Sequence, residues 1–385
     1  MSSYDFTSTI NRKNTGSLKW DKYKDTDILP FWVADMEFKA APEILNALQE
    51  RINHGIIGYT VPYDSVVEAV AEYQLRQHHY ELKADSLVWT PGIVPALNLA
   101  ARAYAKPGEA IMTATPVYPP FLTAPENSGR KLIEVPLIRS GDRDCFDFEA
   151  MEAAITPDTK VFILCNPHNP GGRVFTRTEL QQLAEFCLRH ELILCSDEIH
   201  CDLILEPGCE HFTTARLGKE VADITVTLMS PSKTYNIPGL ACAYAIIENP
   251  KLRLQFKRAA QGIITEINTF GYVGCEAAYR HGEAWRQELI QVLRSNRDRL
   301  FSFIKEELPR IKVLPMEATY LGWMDVGELQ LADAPTHFEQ HGIGLSDGNY
   351  FHGKNHLRIN FGCPSDQLEE GLKRLKQGYN AIPGI

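Results

Sequence analysis

The chain has 385 residues, 44% of them hydrophobic and 23% charged, with a formal net charge of −10. That length exceeds one compact core and predicts two packed regions of ordinary globular composition. The acidic balance argues against a nucleic-acid or anionic-membrane surface, and no run approaches the roughly 18–20 apolar residues of a membrane span.

The start, MSSYDFTSTINRKNTGS, is polar and lacks the apolar stretch of a signal peptide. The nine cysteines are scattered, with no C-x-x-C pair. Cys165 and Cys195 sit inside apolar runs, where a small buried hydrophobe is the expected role. A reducing cytoplasm and no disulfide framework follow as expectations. His200, Cys201, Cys209 and His211 lie close in sequence, but their spacing matches no usual zinc pattern, so no metal is expected.

From about Leu87 to Ile247, short apolar runs alternate with helical patterns. The runs are SLVWT, AIMTAT, KLIEV, KVFILC, LILCS, ITVTL and AYAII, whose length and β-branched content predict buried strands. Thr178 to His190 reads as a crossover helix, with Thr176 and Glu179 as a capping box and Leu180, Leu183 and Cys187 on one face. This alternation predicts an α/β fold with a mainly parallel seven-stranded sheet covered on both faces. Helices follow from about Asn249 to Glu307, then a mixed region with strand-like KVLP, TYLGWMD and HLRINF. The expected division is a large domain over 45–285 and a smaller α+β domain built from 1–44 and 286–385.

Ligands of such sheets collect at the C-terminal ends of strands. The segment Thr90-Pro91-Gly92-Ile93-Val94 follows SLVWT and opens a helix, a natural seat for phosphate, although a plain connecting turn reads equally well. Asn166-Pro167-His168-Asn169-Pro170-Gly171-Gly172 ends KVFILC, either as a loop that stops a strand or as a device that projects the Asn169 amide. Asp197 and Glu198 close LILCS, and two acids on a buried strand need partners, a structural salt bridge being the plain reading. Ser230-Pro231-Ser232-Lys233 follows ITVTL, and a lone lysine after a strand is usually solvated. Asn169, Asp197 and Lys233 lie 28 and 36 residues apart, one strand-plus-helix unit each. Together they offer an amide, a carboxylate and an amine on one sheet edge, the set that pyridoxal phosphate requires. The amine forms the imine, the carboxylate pairs with the pyridinium nitrogen, and the amide donates to the ring oxygen. Ser230, Ser232 and the Gly92 turn are placed to hold the phosphate.

N-P-x-N-P-x-G, D-E and S-x-S-K in this order make the chain resemble the fold-type I pyridoxal-phosphate enzymes, the aspartate aminotransferase superfamily. The segments 15–21, 30–36, 197–202, 318–323 and 358–364 narrow the resemblance to the cystathionine β-lyase and C–S lyase branch. The resemblance implies that Arg358 binds the substrate carboxylate, with Asn169 and Tyr118 beside the substrate. It implies that Tyr118 stacks on the cofactor ring, that the Gly92-Ile93-Val94 turn takes the phosphate, and that Tyr59 reaches the phosphate of a neighbouring subunit in a homodimer. The plain alternatives are a strand arginine in an ion pair and aromatics of a core or interface. Two departures stand out. Ala241 occupies the position where many members carry a basic residue, and His200 stands where aminotransferases commonly place a tyrosine near the ring oxygen.

The expected activity is α,β-elimination from cystathionine or a related cysteine S-conjugate, with Lys233 as general base. Transamination is the alternative. A non-catalytic binding protein would not need Lys233, and a nicotinamide oxidoreductase would need a glycine fingerprint that the chain lacks.

Overall fold

The computed structural model describes residues 4–385; Met1–Ser3, at the head of the polar start, lie outside them. All seven apolar runs form strands of one sheet: β1 (Leu87–Thr90), β2 (Ala110–Thr115), β3 (Lys131–Pro136), β4 (Thr159–Cys165), β5 (Ile193–Asp197), β6 (Thr225–Met229) and β7 (Ala243–Ile246). Their order across the sheet is β1-β7-β6-β5-β4-β2-β3. Only β7 runs against its neighbours, β1 and β6. The runs are continuous rather than alternating because both faces are covered. Along β4, Val161, Ile163 and Cys165 enter one apolar cluster, and Phe162 and Leu164 enter another on the opposite face.

Helix α1 (Pro42–His54) and helix α2 (Asp64–His78) precede the sheet, and α3 (Ile93–Tyr104) follows β1 directly. Helix α4 (Arg177–Arg189) starts one residue earlier than its sequence pattern, and its capping box is present in full. Leu180, Leu183 and Cys187 are buried as the periodicity requires. The predicted helical stretch resolves into α5 (Pro250–Ala260), α6 (Thr269–His281) and α7 (Glu283–Glu307).

A second sheet is antiparallel: β8 (Lys312–Val313), β9 (Leu321–Asp325), β10 (Ser346–Asp347) and β11 (His356–Asn360), in the order β8-β9-β11-β10. Leu321, Met324, Leu357 and Ile359 share a core with Leu293 and Leu300 of α7 and with Leu368, Leu372 and Leu375 of α8 (Ser365–Asn380). The N-terminal segment joins this region: Leu29–Pro30 pairs in parallel with Ile343–Gly344. Gly371 of α8 lies so close to Phe31 that a Cβ there would meet its ring at 2.5 Å. The segment after Phe31 then runs toward the C-terminal edge of the large sheet. Among the described residues, no helix is long and apolar enough to cross a membrane.

Candidate active site

The C-terminal ends of β1, β2, β4, β5 and β6 surround one cavity of about 210 Å³. Its lining includes Gly92, Ile93, Val94, Tyr118, Asn169, Asp197, His200, Ser230, Ser232 and Lys233. Because β7 is antiparallel, its N-terminal approach through Ala241 and Cys242 reaches the same edge and adds to the wall. Gly92, at φ 126°, is the N-cap of α3 and no side chain caps the helix. The first N–H groups of that helix therefore lack intrahelical partners and face the cavity with the positive end of its dipole. Ser230 Oγ lies 2.7 Å from the Cys242 carbonyl and 2.8 Å from Ser232 Oγ, so the two hydroxyls form one polar ledge beside that helix end.

The Lys233 amine donates to the Ala34 carbonyl at 2.6 Å, bridging the main sheet to the N-terminal segment. Asn236, three residues on, accepts from the Met36 N–H at 2.9 Å and donates to the Phe38 carbonyl at 2.7 Å, which fixes the two segments together. Arg358, on β11, donates to Asn169 Oδ1 at 2.9 Å and to the Trp32 carbonyl at 2.7 Å. Its guanidinium lies 4.7 Å from the centre of the Phe351 ring. Asn169 Oδ1 is thereby occupied, which leaves its amide NH₂ as the donor group.

Burial sets the electrostatics. The Lys233 amine is lowered to about 8, because burial and the Arg358 charge outweigh Asp35 and Asp197. The Asp197 carboxyl is raised to about 7 by burial and then by Glu198. It accepts one bond, from the Ile199 N–H at 3.1 Å, and among the described residues it has no ion-pair partner. Glu198 behaves oppposite: burial pushes it up, but His211 at 2.7 Å and bonds from Thr214 and Ser196 hold it below its ordinary value. The plain salt-bridge reading of the two acids therefore applies to Glu198. His200 is lowered to about 3 by burial and by the charges of Lys233 and Arg358, so it is neutral. Arg358 Nε and His200 Nδ1 are buried without a hydrogen-bond partner. An unpaired buried carboxylate, a poised amine and a bare helix end form a cavity made for a ligand with a cationic ring edge, an electrophilic carbon and an anion. These residues fit pyridoxal phosphate.

Of the residues expected from the sequence, Tyr59 alone lies away from this cluster: it is fully exposed, between α1 and α2, and lines no part of the cavity. Of the sequence cluster considered for metal, His200 faces the cavity, while Cys201, Cys209 and His211 line a separate pocket in which His211 binds Glu198. Cys201 also lies in a tighter group with His78 and Asp202, two residues that sequence reasoning did not consider with it; His78 bonds Asp202 at 2.9 Å. Sequence reasoning also missed the Ala34 and Trp32 carbonyls, Ser346, which bonds Arg358 at 3.3 Å, and Tyr320. Ala34 and Tyr320 do lie in segments that carried the narrower resemblance, which was the available signal.

Architecture and site together define an enzyme of aminotransferase fold type I. The chain belongs to the aminotransferase class I and II family, whose model matches residues 26–375. Among curated relatives it is 38% identical to cystathionine β-lyase PatB of Bacillus subtilis (strain 168), over 97% of this chain and 99% of that protein. Among solved structures it is similar to OvoB, with a TM-score of 0.96 at 40% identity, covering 98% of this chain and 100% of the other. Cystalysin from Treponema denticola, solved with a pyridoxal 5′-phosphate cofactor, gives a TM-score of 0.94 at 35% identity, covering 98% and 99% of the two chains.

Proposed function

We propose that the protein is a pyridoxal-phosphate-dependent carbon–sulfur lyase. It would eliminate a thiol from the β-carbon of L-cystathionine or a related cysteine S-conjugate, with pyruvate and ammonia as the other products. The observation that carries this reading is the convergence of Lys233, Asp197, Asn169 and the Asn169-bound Arg358 on one sheet edge. Two facts favour elimination over amino transfer: PatB is named a cystathionine β-lyase, and His200 stands where aminotransferases commonly carry tyrosine.

When bound, the cofactor supplies an aldehyde that condenses with amines and a ring that withdraws electrons from the substrate's Cα. Lys233 is the residue that would hold the aldehyde carbon. Asp197, buried without a cation, would face the ring nitrogen and keep it protonated. The Asn169 amide would donate to the ring oxygen, and Tyr118, half-buried on the cavity wall, would cover the ring face. Gly92, Ile93, Val94, Ser230 and Ser232 would take the phosphate through N–H and O–H donors. Arg358 would grip the substrate carboxylate with its fork, already oriented by Trp32, Ser346 and Phe351. Lys233 would also be the group that takes the Cα proton, and in the cofactor-free chain burial lowers its amine to about 8. His200, held neutral, adds no positive charge to compete with that amine for the carboxylates.

We further propose a homodimer in which Tyr59 reaches the phosphate of the partner's site. Ile52, Ile56, Ile57, Tyr59 and Val61 are all exposed on one stretch, an apolar surface that a second copy would cover. The division into 45–285 and 1–44 with 286–385 is also proposed, each part containing one of the two larger sheets. A cytoplasmic location is proposed from the cysteine usage, all nine being free thiols.

Purified enzyme supplied with L-cystathionine should release pyruvate, ammonia and free thiol in equal amounts. Amino-group exchange that depends on a 2-oxo acid, without thiol release, would instead assign an aminotransferase.

A further inference from the structure

Ala34 stands out because its one backbone carbonyl receives two side chains from different parts of the molecule. Its oxygen accepts from Lys233 Nζ at 2.6 Å and from the Tyr320 hydroxyl at 2.9 Å. The carbonyls on either side, Val33 and Asp35, both accept from the Asn360 amide, at 2.5 and 2.6 Å. The strand of backbone that carries Ala34 is therefore pinned at both flanks, and the Ala34 carbonyl is left aimed into the cavity. Tyr320 arrives there by an unusual route. Thr319, buried and β-branched, sits at φ 73°, a left-handed conformation that such residues rarely adopt. Its Oγ1 accepts from the Leu321 N–H at 3.1 Å, which helps hold the turn. A backbone held in a sparsely populated conformation at a ligand site points to a functional demand on what it aims. Here it aims the Tyr320 ring, buried and 6.2 Å from the His200 ring, at the carbonyl that receives the lysine.

We propose that the Ala34 carbonyl is the docking point for the Lys233 amine whenever that amine is not covalently engaged, and that Tyr320 is the positioning residue that directs it. A carbonyl oxygen has two lone pairs. Tyr320 occupies one, so Lys233 has a single direction of approach. When the amine is engaged elsewhere, Tyr320 keeps this buried oxygen partnered and the wall does not rearrange. After substrate displaces it, the amine swings back to one place, from which it takes the Cα proton. That proton becomes the third hydrogen of the ammonium, and the Cα–H electron pair stays with the substrate. The ammonium is then stabilised by donating to the same carbonyl. This role rests on the proposed function, in which Lys233 is the base at Cα.

The test is Tyr320→Phe, which removes one oxygen and keeps the ring. In the holoenzyme with L-cystathionine, kcat should fall about tenfold while KM stays within about twofold, the size of one lost positioning hydrogen bond. Deuterium at the substrate's Cα should slow the variant more than the wild type, because proton removal becomes the slower step. In the cofactor-free full-length chain, reductive methylation of Lys233, followed by peptide mass spectrometry, should be about threefold faster or more in the variant, whose amine is less confined. An unchanged kcat, or a loss that appears only in KM or in cofactor retention, would overturn the proposal, as would an unchanged methylation rate. If wild type releases no thiol, the lyase assignment fails by itself, and the methylation comparison still decides whether Tyr320 confines the amine.

Discussion

Asp197 and Glu198 are neighbours in sequence and opposites in environment. Glu198 is tied to His211, Ser196 and Thr214, whereas Asp197 accepts a single N–H bond and is raised to about 7. In the cofactor-free chain the folded state holds the Asp197 proton up to about 7, while the unfolded chain holds it only below about 3.8. The folded form thus binds more protons between those values, so this contribution is complete at low pH and is lost as pH rises through 7. Asp197→Asn should raise the melting temperature of the cofactor-free protein at pH 8 by about 2 °C or more, with a smaller gain at pH 5. Calorimetry at the two pH values checks this. The same change should lower kcat/KM by about 100-fold or more, because the group proposed to meet the ring nitrogen is gone. A carboxylate kept unpaired at a stability cost is the signature of a site awaiting its ligand.

At the scale of elements, the five strand ends and the antiparallel β7 decide what can reach the cavity. Ala241 enters the wall because it lies two residues before the start of β7, and it takes a left-handed φ of 50°. Among the described residues lining the cavity Lys233 is the one lysine or arginine, so the proposed phosphate seat would be built of neutral donors. Ala241→Arg should tighten pyridoxal phosphate binding about tenfold at low ionic strength, an advantage that added salt erodes. Titration of the cofactor-free protein by absorbance at two salt concentrations measures it. Helix α4 supplies a stability control far from this chemistry: Thr176→Ala removes a full capping box and should cost about 1 kcal/mol in urea unfolding with cofactor binding intact. The seven long strands were legible in the sequence because burial on both faces makes each a continuous apolar run. The hairpin of Ile138–Ser140 and Arg143–Cys145 was not, since it is short, polar and exposed or half-exposed. Ser346–Asp347 is too short to carry a pattern at all.

For the whole molecule, the site draws on three regions of the chain: the N-terminal segment gives Ala34 and Trp32, the large sheet gives Lys233, Asp197 and Asn169, and the second sheet gives Arg358. Lys233, Asp197 and Asn169 were singled out by their spacing and motif context, and Arg358 by the family resemblance alone. The backbone carbonyls that orient them were not, because an acceptor of that kind has no residue identity. In the proposed homodimer, the exposed apolar stretch around Tyr59 would bring in a fourth contributor, a second copy of the chain. Sedimentation should give a dimer, and Tyr59→Ala should leave the dimer intact while weakening cofactor binding about tenfold, as one lost hydrogen bond to a charged group implies. The claim on which all of this depends is that Lys233 holds the cofactor. Incubation with pyridoxal phosphate, borohydride reduction and peptide mass spectrometry test it directly. A yellow protein whose reduced adduct maps to Lys233, absent from Lys233→Ala, is the predicted result; a colourless wild type, or an adduct on another lysine, would contradict it.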